Sequence, residues 1–436
     1  MMTSRRSVTW LGACALGLVA VTGAQATEGS TLSDREHLGK ALFFDKALSF
    51  NGNQACATCH APAAGWTGPK TRINAAGGVY EGSILGRFGN RKPPSAAYAT
   101  PAPVFHMETE DGAALFVGGN FFDGRATGEK LGNPAADQAQ GPFLNKVEQA
   151  LSDPACVVWK ACGRPYAWLL KREVPGACDV AWPARIEHQC TAGKTVPLPA
   201  AQRAKVSSTY DAIALAIAAY EASSEVNAYS SKFDAWQAGK VRFTPLERAG
   251  FDVFEGKAQC AACHPVERGA NGEPPLLTDF TFDNLGVPRN PDNPWYTRPF
   301  NPDGTAWVDA GLGGFLVQRA DYQAYAAESS GKHKVPTLRN VDKRPSRRFV
   351  KAFMHNGYFK TLEGVVDFYN SRDVKPRCAD PLTTEADALA QGCWPEAEVA
   401  ENVNVDELGN LGLTAYEQRA LVAFLKTLSD GWTPAP

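Results

Sequence analysis

Two stretches of this chain, Cys56-Ala57-Thr58-Cys59-His60 and Cys260-Ala261-Ala262-Cys263-His264, put two thiols three residues apart with an imidazole directly after the second. On one helical turn, residues three apart share a face. Such thiols can add to the two vinyl groups of a haem, and the adjacent histidine is then placed to bind the iron from its proximal side. A zinc site would want further Cys or His ligands at close spacing, and a thioredoxin-like pair would want a strand before it. Neither companion is in the sequence. Cys56, Cys59, Cys260 and Cys263 are therefore read as attachment points for two c-type haems, with His60 and His264 as the proximal iron ligands.

Each pentad needs a scaffold, and each follows the same lead-in. "LSDREHLGKALFFD" reads as a helix with Ser33 as N-cap and Glu36 completing a capping box. "TPLERAGFDVFEG" repeats the device with Thr244, Pro245 at the first helical position and Glu247. Each half closes on a helix, "STYDAIALAIAAYEASS" over 208–224 and "TAYEQRALVAFLKTLSD" over 414–430, where Tyr416, Ala420, Leu421, Phe424 and Leu428 recur at helical spacing. Between pentad and closing helix run loops rich in Pro, Gly and Asn, with few alternating runs that would support strands. The expected fold is mainly α, with long loops and little sheet, in two domains at 27–235 and 240–436. "NAYSSKFDAWQAGKVRF" is the expected linker.

The chain has 436 residues, 44% hydrophobic and 21% charged, which suits a globular protein with a sizeable core. Its formal net charge is −2 and no basic patch stands out, which argues against nucleic acid as a partner. Residues 1–26 read as an export signal: Arg5 and Arg6, the apolar run "VTWLGACALGLVAVTG", then Ala24-Gln25-Ala26 as a cleavage site. A membrane anchor and a lipoprotein signal ending at Cys14 are the alternatives. The first is short and broken by Thr and Gly, and the second would strand an apolar stretch. No later segment is apolar enough to span a membrane. Of the 11 cysteines, Cys156, Cys162, Cys178, Cys190, Cys378 and Cys393 remain outside the leader and pentads, an even number that suggests disulfides in an oxidising compartment such as the periplasm. Cys378 and Cys393 are expected to pair. The other four allow three connectivities and tie down an insertion near 150–200.

With these residues in view, the chain resembles the bacterial di-haem cytochrome c peroxidase/MauG superfamily over most of its length. The segments that carry the resemblance are "LGKALFFDKALSFNGNQACATCHAPAAGW", "FFDGRA", "DQAQGPFLNKVEQ", "KVPTLRNV" and "FMHNGYFKTLEGVVDFYN". The resemblance implies two cytochrome c-like haem domains, peroxide reacting at the N-terminal haem and electrons handled by the C-terminal one. It assigns Gln138, Pro142 and Glu148 to the distal side of the first haem, where a carboxylate can move a proton between peroxide oxygens. The bland reading of Glu148 is a surface helix residue. In many resting relatives a histidine in the loop after the first pentad closes that iron. Here "APAAGWTGPKTRINAAGGVYEG" has none, so the first iron is expected open, with His106 as the remaining histidine that could reach it.

At the second haem the position of the peroxidases' distal methionine holds Tyr369, the substitution found in MauG. A phenolate there is a hard anionic donor that lowers the iron's potential. Otherwise Tyr369 is a core aromatic and Met354 ligates, while His355 is expected to hydrogen-bond near the haem. Arg125 and Arg339 are expected at haem propionates, with surface ion pairing as the alternative. Two departures stand out. The family's inter-haem tryptophan is Phe122 here, which is hard to oxidise. The family's calcium-binding asparagine aligns with Lys92, though Asn90 is close, so a lysine cation in place of calcium is the competing expectation. The leading reading is a periplasmic peroxidase that takes hydrogen peroxide and electrons from a small cytochrome c or copper protein. A MauG-like oxidation of Trp or Tyr on a partner protein and a non-catalytic electron-transfer cytochrome are the alternatives, and a homodimer is compatible with any of them.

Overall fold

Ser33 and Thr244 start the two halves in the same way. In this computed structural model, which describes residues 32–110 and 112–434, each hydroxyl accepts from the backbone of the glutamate three residues on. That glutamate's carboxylate accepts from the cap's own N–H, at 2.6 Å for Ser33 and 2.7 Å for Thr244. The expected leader at 1–26 lies outside the described residues. The two opening helices, Asp34–Phe44 and Pro245–Glu255, each cross a closing helix, Ala200–Ala222 and Ala415–Lys426 respectively.

The crossings are alike in atomic detail. A methyl placed on Gly39 would overlap the Ala216 carbonyl oxygen and lie 2.9 Å from Tyr220 Cβ. A methyl on Gly250 would overlap the Ala420 carbonyl oxygen and lie 2.9 Å from Phe424 Cβ. Only glycine lets two backbones approach so closely. The correspondence also sets a register between the halves: Ala216 matches Ala420, Tyr220 matches Phe424, and Glu221 matches Leu425.

Around these crossings lie two hydrophobic cores. One gathers Leu38, Phe43, Trp66, Phe143, Ile213 and Tyr220, and the other Phe251, Phe254, Phe359, Phe368, Trp394 and Phe424. Each such side chain contributes roughly 1.5–3 kcal/mol on burial. Sheet is confined to two small antiparallel pairs, His106–Glu110 with Ala113–Val117 and Phe282–Asp283 with His333–Lys334. The fold is mainly helical, as the loop composition implies. Among the described residues no helix is long and apolar enough to cross a membrane.

Three disulfides form: Cys156–Cys190, Cys162–Cys178 nested inside it, and Cys378–Cys393. The first two staple the segment expected to be a tied insertion, and the third is the pair expected from spacing. Loops of about 15 residues closed this way remove on the order of 3 kcal/mol of denatured-chain freedom in the entropic account. Two local expectations need correction. The first closing helix begins at Ala200 rather than near 208, since its N-cap is Pro199, which offers no side-chain oxygen to mark the start. The stretch read as a linker contains the helix Lys232–Gln237, capped by Ser231, and its Phe233 is fully buried in the second core.

Gly39→Ala and Gly250→Ala should each destabilise the protein by about 1–3 kcal/mol or more, the cost of overpacking against rigid backbone. Gly89→Ala, where an added methyl meets nothing within 4 Å, should leave stability nearly unchanged. Denaturant unfolding of the haem-loaded protein measures both, and equal midpoints for all three would mean that the crossings tolerate side chains.

Candidate active site

The first pentad forms a single helical turn, Cys56–Cys59, directly before His60. His60 Nδ1 lies 3.0 Å from the Pro94 carbonyl oxygen, which fixes the ring and leaves Nε2 as the nitrogen for a ligand. Burial pushes His60 down to about 4, so the imidazole is neutral and its lone pair is available. The second pentad repeats the arrangement. His264 Nδ1 lies 2.8 Å from Leu277 O, and burial again lowers the ring to about 4.

The pentad thiols are the free cysteines among the described residues. Burial pushes Cys59, Cys260 and Cys263 up to about 12 and raises Cys56 as well. The remaining described cysteines are in disulfides and so add no thiol to either pentad. Neutral thiols beside an anchored, neutral imidazole fit haem attachment.

The first cavity encloses about 400 Å³ and is lined by Cys56, Cys59, His60, Gln138, Pro142 and Glu148. Asn133 caps the helix Pro134–Leu144 with Pro134 at its first position. Gln138 and Pro142, four apart, lie on one face of it. Pro142 has no N–H to give the Gln138 carbonyl, which loosens the helix two residues before its end. Glu148 is not on a helix, contrary to the bland reading. It sits in the turn that follows, where its N–H donates to Asn145 O and Asn145 Nδ2 donates to Glu148 Oε1 at 2.7 Å. Burial raises its carboxyl, against the opposing pull of Arg125 and Asn145. His106 is not at this cavity. It lies exposed on the hairpin, with Nδ1 2.8 Å from Val104 O and Nε2 2.9 Å from Glu108.

Sequence reasoning missed one carboxyl here. Glu221, on the first closing helix, lines the cavity at 6% exposure, and burial lifts it to about 8. Its counterpart Leu425 lines the second cavity. The signal lay in the internal repeat, which puts a glutamate where the other half has a leucine.

The second cavity, about 250 Å³, is lined by Cys260, Cys263, His264, Met354, His355 and Tyr369. Thr361 caps the helix Leu362–Ser371 that carries Tyr369, whose phenol burial pushes up, so only a neighbouring cation could hold it as phenolate. His355 Nε2 and His333 Nε2 are buried without partners, and their rings stack 3.6 Å apart at 9° beside Asp309. These three side chains could be taken for a metal site. However, stacked rings keep their in-plane lone pairs in separate planes 3.6 Å apart, and Arg91 already holds both Asp309 oxygens at 2.6 and 2.7 Å. As arranged they do not converge on an ion.

The arginines differ. Arg125 lines the first cavity, pairs with Asp123 at 2.6 Å and lies 3.8 Å over the Phe121 ring. Arg339 lines the second cavity at 2% exposure, so it is no surface ion pair. Its Nε donates to Pro275 O and its two terminal nitrogens to Asp234, leaving two of five N–H groups for any further anion. Phe122, Lys92, Lys334 and Pro336 line both cavities and form their common wall. Burial lowers Lys92 to about 8 and Lys334 to about 7, and Lys92 Nζ lies 5.6 Å over the Phe122 ring.

Residues 33–242 match the family model described as di-haem cytochrome c peroxidase. The chain is 36% identical over 396 residues to the methylamine utilization protein MauG of Paracoccus denitrificans, covering 90% of this chain and 88% of that one. It is 28% identical over 410 residues to a cytochrome-c peroxidase of Denitromonas iodatirespirans, covering 91% and 82%. The crystal structure of the di-haem peroxidase BthA from Burkholderia thailandensis superposes with a TM-score of 0.70 at 27% identity, covering 91% of this chain and 86% of that one.

Glu221 generates a pH prediction. Its carboxyl, ordinarily near 4.5, is raised to about 8 in the fold. The folded state therefore keeps a proton that the unfolded chain releases, and this contribution to stability is lost as pH rises from about 4.5 towards 8. Melting temperatures of the native protein and Glu221→Gln should run parallel below pH 4.5 and diverge above it, the variant losing less. Parallel curves across the whole range would show that Glu221 is not held protonated.

Proposed function

The chain belongs to the di-haem cytochrome c peroxidase and MauG family, and from that premise we propose that it reduces hydrogen peroxide in the first cavity with electrons passed through the second. The observation that carries this reading is the convergence of Gln138, Pro142 and Glu148 on the cavity that holds the first pentad. Cys56, Cys59, Cys260 and Cys263 would hold two haems covalently, with His60 and His264 presenting Nε2 to the irons and Arg125 placed for a propionate. Haem bound there supplies iron that takes a peroxide oxygen and exchanges electrons. Reduction of peroxide to two waters consumes two electrons and two protons. Glu148, fixed by Asn145, takes a proton from one peroxide oxygen as the carboxylate and then delivers it to the other, burial favouring the protonated form between the two transfers. The Gln138 amide would donate a hydrogen bond to peroxide in the cavity.

In the second cavity Tyr369 would supply a protein ligand in addition to His264, so that site would handle electrons rather than peroxide. Each core serves one haem, the chain passing between them from Val226 to Phe233. At the common wall, where the family resemblance places calcium, the ammonium group of Lys92 would take the metal's place. Three disulfides support export to the periplasm, where a small cytochrome c or copper protein would be the donor. A second reading, oxidation of Trp or Tyr on a partner protein, is favoured by Tyr369 together with the 36% identity to MauG of Paracoccus denitrificans. A non-catalytic cytochrome fits less well, because the first cavity offers a carboxyl and an amide where an electron carrier would need a closing ligand.

Glu148→Gln should lower peroxide turnover by roughly 10²–10⁴-fold, the usual worth of general acid–base catalysis, with haem content unchanged. Unaltered turnover would remove Glu148 from the mechanism. Tyr369→Met should raise the midpoint potential of the second haem, since a neutral thioether stabilises ferric iron less than a phenolate. A redox titration that coincides with the native one would mean that Tyr369 does not ligate.

A further inference from the structure

Phe122 is the one aromatic ring among the described residues that lines both cavities, and a benzene ring is the aromatic side chain that gives up an electron least readily. A second line of aromatic rings joins the same two cavities by another way. Trp295 lines the first cavity. It sits on the 3₁₀ turn Pro294–Thr297, where Asn293 Oδ1 accepts from its N–H at 3.0 Å and Asn301 Nδ2 donates to its carbonyl. The Trp307 ring lies 5.9 Å from it at 76°, and Tyr296 lies 5.8 Å from Trp307 at 52°. These are ordinary aromatic contact distances, so no gap interrupts the line. Tyr296 is 5% exposed and its hydroxyl donates to Glu398 Oε1 at 2.5 Å. Glu398 lines the second cavity, and Arg289 Nε stands 3.5 Å from the same oxygen.

We propose that Trp295, Trp307 and Tyr296, with Glu398 as proton acceptor, form an oxidisable path from the first cavity to the wall of the second. This rests on the reading that peroxide is reduced in the first cavity. Of the two electrons that peroxide requires, one would come from the haem iron and, when no external donor supplies the other, Trp295 gives it. The indole Nε1 is buried and has no acceptor among the described residues, so the oxidised ring has no base there to take its proton and remains a strong one-electron oxidant. Trp307 returns the electron to Trp295, and Tyr296 in turn refills Trp307. As the Tyr296 electron leaves, its phenolic proton moves to Glu398 Oε1, which is within hydrogen-bond reach. The products are a neutral phenoxyl radical on Tyr296 and a protonated Glu398 carboxyl. An electron arriving by way of the second cavity restores Tyr296, and the proton returns with it. The path thus offers an alternative to Phe122, built from groups that can hold the charge.

The test uses the two-haem protein, hydrogen peroxide and no electron donor, freeze-quenched for electron paramagnetic resonance while haem absorbance reports reaction with peroxide. A tyrosyl signal is expected in the native protein. It should be lost in Tyr296→Phe, with an indole signal in its place, and both signals should be lost in Trp295→Phe. Peptide mass spectrometry of the peroxide-treated native protein provides a check that needs no variant, with oxidation expected on Trp295, Trp307 or Tyr296. Haem absorbance that changes while the radical signals persist in Trp295→Phe and oxidation falls on other residues would overturn the path. Haem absorbance that does not respond to peroxide would overturn the underlying reading, and the path with it.

Discussion

Each pentad is held by a helix crossing in which backbone meets backbone. Gly39 against Ala216 and Gly250 against Ala420 leave no room for a side chain, so in each half the opening helix is pinned to the closing one at a single point. Everything that faces a haem cavity is set out from that point. The opening helix ends and delivers the pentad, while the closing helix continues past the crossing and lends the cavity its next wall residue. Because that contact occurs twice with the same partners, the two cavities are the same construction, and differences between them are differences of side chain.

Those differences divide the work. Opposite the first pentad stand an amide, a proline and a carboxyl, brought in by one helix and the turn after it. The second cavity is lined instead by Tyr369, Met354 and the stacked His333 and His355. On the closing helices Glu221 meets one cavity and Leu425 the other. One cavity is thus supplied with groups that hold and move protons, and the other with a group that can bind metal. Between them lies a wall that includes Phe122 and two buried lysines, Lys92 and Lys334.

Much of this was legible before the fold was known. Capping boxes at Ser33 and Thr244, the pentads, and the Cys378–Cys393 pair depend on residues close in sequence, where spacing alone constrains geometry. Gln138, Pro142 and Glu148 were readable through the family resemblance, and the structure brings them to the cavity of the first pentad. What spacing could not supply depends on contacts far along the chain. The nested pairing of Cys156, Cys162, Cys178 and Cys190 is one case. Another is Arg339, whose guanidinium is taken by Asp234 from the helix mistaken for a linker. That helix was hidden because its one fully buried residue, Phe233, packs into a core built mostly from residues beyond 250. Glu221 looked like an ordinary polar position on a helix until the register of the repeat set it against Leu425.

Carbon monoxide reports directly whether one iron is open and the other closed. Titration of the fully reduced protein with the gas, followed by the haem absorption spectrum, should saturate at one molecule bound per two haems. Binding at both haems, or at neither, would contradict the division of labour between the Glu148 cavity and the Tyr369 cavity.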